Sequence, residues 1–293
     1  FVQDTTVMTS LININSPMTF DDVMMGALEV YANNNQACIV SPFIVGGAMA
    51  PVSVAGTLTQ VLAEVTAGIA YSQLVKPGAP VIFGAFVTSI DMNSGAPTFG
   101  TPEATQILSG AGQLARRLGL PFRSGGGLCA SKLPDAQAAY ETANTLNAAL
   151  LGGVNFMLHS CGWLEGGLCT GYEKLVLDAD RLGAYQVMLS GLPMDENAIA
   201  RDAYQEVEPA GHFLGCAHTM ANYETAYYEA ALSDSNNVEQ WEENGSKDAS
   251  ERAYDRWNQI LREYQAPPMD EAKDEALLEF IAKRKAELPD AWY

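Results

Sequence analysis

Val154-Asn155-Phe156-Met157-Leu158, followed at once by His159-Ser160-Cys161-Gly162-Trp163-Leu164-Glu165-Gly166-Gly167, is a short apolar run that ends in an imidazole, a thiol, an indole and a carboxylate. A run of this length and composition reads as a buried strand. Polar side chains gathered just past a strand's C-terminal end are how an α/β barrel assembles a site from its βα loops.

Outward from that stretch, further strand-like runs over 7–15, 37–45, 81–89 and 120–125 alternate with segments over 21–33, 52–75, 102–118, 134–151 and 171–190 that are rich in Ala, Leu, Met and Gln at helical spacing. Such alternation is the pattern of βα units and a parallel sheet. Thr101-Pro102-Glu103 is a helix start with a hydroxyl cap and proline at the first position, whereas Gly78, Gly119 and Gly152-Gly153 mark helix ends. A polar helix over 194–206 leads to a sixth strand-like run, 211–216. Closing a barrel takes eight strands. The expected fold is therefore α/β, a TIM (β/α)8-type barrel whose N-terminal strands lie outside this sequence, with an open doubly wound sheet as the alternative. Residues 1–220 are expected to form the barrel-type catalytic domain. Residues 221–293 are expected to form a charged helical extension, anchored by Trp241, Trp257 and Trp292, divided at Pro267-Pro268, and strapped across the barrel or a neighbouring subunit.

The 293 residues carry a formal net charge of -19. Phosphate binding needs clustered Lys and Arg, and no basic stripe occurs, so nucleic acid is excluded as a partner. An acidic surface suits a soluble enzyme or a basic partner. No run of eighteen apolar residues appears and Phe1-Val2-Gln3-Asp4 lacks the features of a signal peptide, so no membrane association and a cytoplasmic location are expected. Residues 1–200 hold 15 acidic and 7 basic side chains, against 20 and 9 in the shorter remainder. A first part so poor in charge points to a homo-oligomer. Five cysteines, odd in number and without a CxxC pair, read as reduced thiols rather than a disulfide framework.

Several residues are candidates for chemistry. Gly125-Gly126-Gly127 allows close backbone approach to a ligand or simply forms a turn, and the spacing to Lys132 is not that of a P-loop. Lys132 is one of two lysines before Thr170; it is either a Schiff-base former, where burial strips water from its ammonium, or a solvated lysine near a helix start. His159-Ser160-Cys161 and Cys216-Ala217-His218 contain zinc-ligand types, but neither has the spacing of a zinc site, and no metal is expected. His159 reads as a hydrogen-bonding pocket residue or a satisfied core histidine. Phe83, Phe86, Phe122, Phe156, Trp163 and Tyr172 lie near strand ends and outnumber the cations there. They suit a cationic ligand, with Glu165 as the compensating carboxylate, or else they pack the barrel.

The ordered series 95–103, 126–138, Gly162-Trp163-Leu164-Glu165-Gly166-Gly167 with Tyr172-Glu173-Lys174, and Gly211-His212-Phe213-Leu214-Gly215 with His218-Thr219 resembles the trimethylamine methyltransferase superfamily from about Ser10 onward. The resemblance implies a TIM barrel, longer at its N-terminus, that moves a methyl group from a methylated amine to the Co(I) corrinoid of a separate corrinoid protein. No tightly bound cofactor is then expected in this chain, since the partner carries the corrinoid (cobalamin). The superfamily has a pyrrolysine branch that uses trimethylamine and a larger branch, without pyrrolysine, that includes demethylases of quaternary amines such as glycine betaine. Neutral trimethylamine needs an electrophilic imine to activate its leaving group, whereas a quaternary amine arrives activated and needs only a fitted pocket. The pyrrolysine position falls in or near Ser131-Lys132-Leu133. A true lysine there favours the quaternary branch, and a pyrrolysine written as lysine favours trimethylamine. On this resemblance Lys132 is expected beside the reacting nitrogen, with His159 and Glu165 orienting or balancing charge. Phe83, Phe86, Trp163 and Tyr172 would bind substrate. A Schiff-base lyase of the aldolase type using Lys132 and a non-catalytic amine-binding subunit are the rival readings.

Overall fold

A computed structural model describes residues 5–289, so Trp292 lies outside the described residues. The strands are β1 (Thr9–Ile14), β2 (Ala37–Gly46), β3 (Val81–Ile90), β4 (Pro97–Thr98), β5 (Phe122–Gly125), β6 (Phe156–Leu158), β7 (Trp163–Leu164) and β8 (Cys169–Thr170). Five of them form one parallel sheet in the order β1-β2-β3-β5-β6, with β4 added antiparallel at the end of β3. The helices α1 (Asp22–Asn33), α2 (Val54–Val75), α3 (Pro102–Arg117) and α4 (Ala136–Leu151) connect successive parallel strands. A doubly wound sheet reverses its strand order part-way; this one does not. The architecture is mixed α/β, a run of sequential βα units that makes half of a barrel, open at β1 and β6.

Local chemistry sets the helix starts. Asp21, Ser53, Thr101 and Asp135 each accept a backbone N–H from the first turn of the helix they precede, the cap expected at Thr101 among them. Alternation along the strands then divides the sheet into two faces. Ile12, Ile14, Cys38, Val40, Ile44, Phe83, Ala85, Val87 and Phe122 pack against Leu28, Val61, Val65, Ile107 and Ala111 of the helices in one buried core. The opposite, inward face carries Leu11, Asn13, Ser41, Phe43, Phe86 and Arg123, and it bounds the cavity described below.

After β6 the chain forms the short antiparallel pair β7–β8, then α5 (Tyr172–Leu189). The expected helix over 194–206 is two short helices, α6 (Glu196–Ile199) and α7 (Arg201–Glu206), broken at Ala200, which is left-handed with φ 52°. The expected sixth strand, 211–216, is not a strand. Ala210 is left-handed with φ 67°, and the N–H groups of Gly211 and Cys216 bond locally to the carbonyls of Glu208 and Phe213. The segment leads through these turns into α8 (Ala217–Asn222).

Two compact units are present, divided between Asp255 and Arg256. The end of the first unit holds α9 (Val238–Glu243) and the start of α10 (Ala249–Glu263). Its segment 228–252 lies over α5 and the approach to α4. Tyr228 donates to the Asp180 carbonyl, the Ala231 N–H to the Asp180 carboxylate, and Ser250 to the Pro134 carbonyl. Trp241 is tied by its indole N–H to the Lys247 carbonyl. The second unit contains the rest of α10 and α11 (Glu271–Glu287), with Pro267-Pro268 between them.

Candidate functional site

Arg123 is the centre of the inward face. It alternates with the core residue Phe122 on β5, so its side chain stands on the opposite face, where it is 1 % exposed. Its β3 neighbour in the register is Gly84. A Cβ at Gly84 would lie 2.5 Å from the Ser41 Cβ. The missing side chain leaves a trough along which the guanidinium reaches β2. Nη1 donates to Ser41 Oγ at 3.2 Å, Nη2 is 3.1 Å from His159 Nε2, and the charged carbon sits 5.7 Å from the centroid of the Phe86 ring. Among the described residues no carboxylate pairs with Arg123, and its buried Nε has no hydrogen-bond partner. Burial alone pulls the guanidinium down to about 10.

His159 follows β6 directly, in a left-handed conformation with φ 56°. Burial, and secondarily the Arg123 charge, hold its imidazole below the ordinary value. Around it the rings form one cluster. Its centroid is 5.2 Å from that of Phe86 and 5.0 Å from that of Trp163; Phe86 lies 5.8 Å from Trp163, 6.5 Å from Phe99 and 5.5 Å from Phe43. Trp163 Nε1 is a second buried donor without a partner. A cavity of about 550 Å³ opens beside the cluster, lined by Leu11, Asn13, Phe43, Phe86, Arg123 and His159 among others.

The loops after β5 and β6 are joined at the edge of the cluster. Buried Glu141 accepts the N–H groups of Ala130 and Ser131, Glu165 donates its N–H to the Ser131 carbonyl at 2.8 Å, and Gly166 to that of Cys129 at 3.0 Å. A Cβ at Gly127 would meet the Ser160 carbonyl at 2.5 Å. The close approach that the glycine run permits at this position is therefore to the neighbouring loop, not to a ligand. Lys132 is exposed, its Nζ donating to the Ala130 carbonyl at 3.0 Å. The Glu165 carboxylate accepts from the Cys169 thiol, and Tyr172 begins α5 with 62 % of its surface exposed.

Of the residues expected from sequence, the structure brings Phe86, His159 and Trp163 into one cluster and joins the Lys132 and Glu165 loops beside it. Phe83 is not with them. Three positions before Phe86 on the same strand, it faces the helices, fully buried and 6.3 Å from the Phe122 ring. Thiols offer no ready nucleophile. Burial pushes Cys129 up to about 11 and also raises Cys161. What the cluster can do is hold a cation against ring faces and an acceptor anion against a guanidinium with a free N–H.

The trimethylamine methyltransferase (MTTB) family profile matches residues 1–289. The chain belongs to this family. It is 41 % identical over 287 residues to the glycine betaine methyltransferase of Desulfitobacterium hafniense strain Y51, covering 98 % of this chain and 60 % of that protein. It is 33 % identical to the trimethylamine methyltransferase MttB of D. hafniense strain DCB-2 and 34 % to MttB1 of Methanosarcina acetivorans, covering 77 % and 76 % of this chain and 45 % of each relative. The chain thus spans between about half and three fifths of the relatives it matches. Within this family member, Arg123, Ser41, Phe43 and Phe99 are the site residues that sequence reasoning passed over. Arg123 did carry a signal: it is one of only 7 basic residues among the first 200 and interrupts an apolar strand.

Proposed function

We propose that this chain forms the donor half of a corrinoid-dependent methyltransferase whose methyl donor is a quaternary amine bearing a carboxylate, of the glycine betaine type. One observation carries the reading: the stacked rings of Phe43 and Phe86 and a buried guanidinium without a carboxylate line one cavity. A buried cation without a counter-ion is costly, and a substrate carboxylate that accepts from Arg123 relieves it. Ring faces of Phe86 and Phe43 then take the methylated ammonium one carbon away, with Trp163 packed against Phe86 behind them. Glu165, in the loop whose Gly166 abuts Phe99, keeps its carboxylate on the Cys169 thiol and outside the cavity lining.

A quaternary nitrogen leaves as a neutral amine when its C–N bond breaks and the electron pair stays on nitrogen, so the chain's own task is orientation. It must hold the methyl carbon in line with the attacking acceptor and keep water out. The acceptor is the reduced cobalt of a separate corrinoid protein, which supplies the nucleophile and reaches this chain as a co-substrate. Lys132 stands on the joined loops as a lysine with no covalent part in the transfer. The Schiff-base reading requires a desolvated lysine, and Lys132 is exposed.

Calorimetric titration with glycine betaine, choline and trimethylamine tests the proposal. Glycine betaine is expected to bind at least tenfold more tightly than choline, which has the same head group without the carboxylate, and than trimethylamine. Equal binding of choline and glycine betaine removes the role given to Arg123.

A further inference from the structure

The contact between Arg123 and His159 fixes more than a distance. A guanidinium has five N–H donors and no acceptor, so at the 3.1 Å Nη2···Nε2 contact the imidazole must be the acceptor. Nε2 is then unprotonated, and the one proton of the neutral ring resides on Nδ1. The same guanidinium is held on its other side only by Ser41 Oγ at 3.2 Å, while its Nε stays unpartnered. His159 is thus one of two side chains that set where the Arg123 fork points. Its own backbone is held in the left-handed region, which is strained for a non-glycine residue. Phe86 and Trp163 pack the ring from two sides.

We propose that His159 is a positioning residue, an acceptor-only imidazole protonated on Nδ1 that aims Arg123 at the substrate carboxylate, and that acidification releases Arg123 and switches substrate binding off. The second half rests on the carboxylate-bearing donor proposed above; the tautomer rests on the Arg123–His159 contact alone. Protonation of the ring puts an N–H on Nε2, donor against donor, and places a second positive charge beside the first. Among the described residues no other titratable or charged side chain lines the cavity with these two. From β1 and its following turn come the neutral Asn13, Asn15 and Ser16, from β2 Phe43, from β3 Phe86, and the thiol of Cys161 is kept protonated by burial. Since burial, and secondarily the Arg123 charge, hold His159 below its ordinary value, the aimed state persists at neutral pH and is lost below the ordinary imidazole range.

Two measurements on the full chain test this. The chain has 3 histidines, so nitrogen-15 NMR of labelled histidine resolves His159 by its loss in His159→Gln. A neutral ring protonated on Nδ1 is expected. An Nε2–H ring overturns the proposal without reference to any ligand. In titration with glycine betaine, wild-type affinity is expected to be flat near neutrality and to fall towards tenfold per pH unit below the histidine's transition. His159→Gln keeps an acceptor but cannot titrate; its neutral-pH affinity stays within a few fold and its pH dependence disappears. His159→Leu, with no acceptor, binds at least tenfold more weakly at every pH. Wild-type affinity independent of pH, or a His159→Gln profile identical to wild type, overturns the positioning role. Failure of glycine betaine to bind at any pH overturns the donor assignment instead and leaves the NMR result to decide the tautomer.

Discussion

Replacing Arg123 with methionine separates what this residue does for the fold from what it does for substrate. Burial pulls the guanidinium down to about 10, well below its ordinary range, which costs its charged form about 3 kcal/mol at roughly 1.4 kcal/mol per pH unit. Two hydrogen bonds from the charged group, to Ser41 and His159, return about 1.5–3 kcal/mol each, and its approach to the Phe86 ring about another 1. At 3.1–3.2 Å both bonds belong at the weak end of that range, where cost and gain nearly cancel. Methionine keeps most of the volume and abolishes both, so folding stability is expected to change by no more than about 2 kcal/mol, a melting shift of a few degrees for a chain of this size. Binding behaves differently. Removing the cation that receives a desolvated carboxylate costs about 2–4 kcal/mol, roughly a 30- to 1000-fold loss of glycine betaine affinity. Thermal melting and calorimetric titration of Arg123→Met read the two effects separately. A melting drop of more than about 10 °C would refute the reasoning by showing Arg123 to be structural, as would a variant that binds glycine betaine as tightly as wild type.

Three further outcomes are expected. Gly84→Ala places a methyl 2.5 Å from the Ser41 Cβ and 2.7 Å from the Val40 carbonyl; it should cost about 1–3 kcal/mol in thermal or denaturant unfolding and weaken substrate binding by displacing Arg123. Lys174 and Asp178 form a buried pair at 2.6 Å with Thr142 as a further partner, so Lys174→Met should destabilise by about 3–5 kcal/mol, and adding Asp178→Asn should restore part of that in urea titrations. Mass spectrometry of the peptide spanning 124–137 should give unmodified lysine at position 132; a pyrrolysine mass would move the donor to trimethylamine.

The five strands of the parallel sheet were legible to within a residue or two because apolar runs bounded by helix caps and glycines leave little freedom: 81–89 is expected and Val81–Ile90 is found, whereas the two-residue strands β4, β7 and β8 are too short to leave a pattern. The run at 211–216 misled because composition alone does not reveal the local turns that Gly211 and Cys216 make with Glu208 and Phe213. Phe86 and Phe83 looked equivalent as aromatics near one strand end, yet three residues along a strand reverse the face. Arg123 was harder to find. Its meaning depends on Ser41, 82 residues away in sequence, and on the absence of a side chain at Gly84 between them. No short-range pattern records that trough, although a lone arginine in an apolar strand marks the position once strand faces are assigned.

The most direct test of the proposed activity is to mix the protein with a corrinoid protein held in the Co(I) state and follow the corrinoid spectrum after adding donor. Glycine betaine is expected to discharge the Co(I) absorbance with one dimethylglycine formed per corrinoid methylated, and trimethylamine to leave it unchanged. Methylation by trimethylamine, or none by glycine betaine, would contradict the proposal.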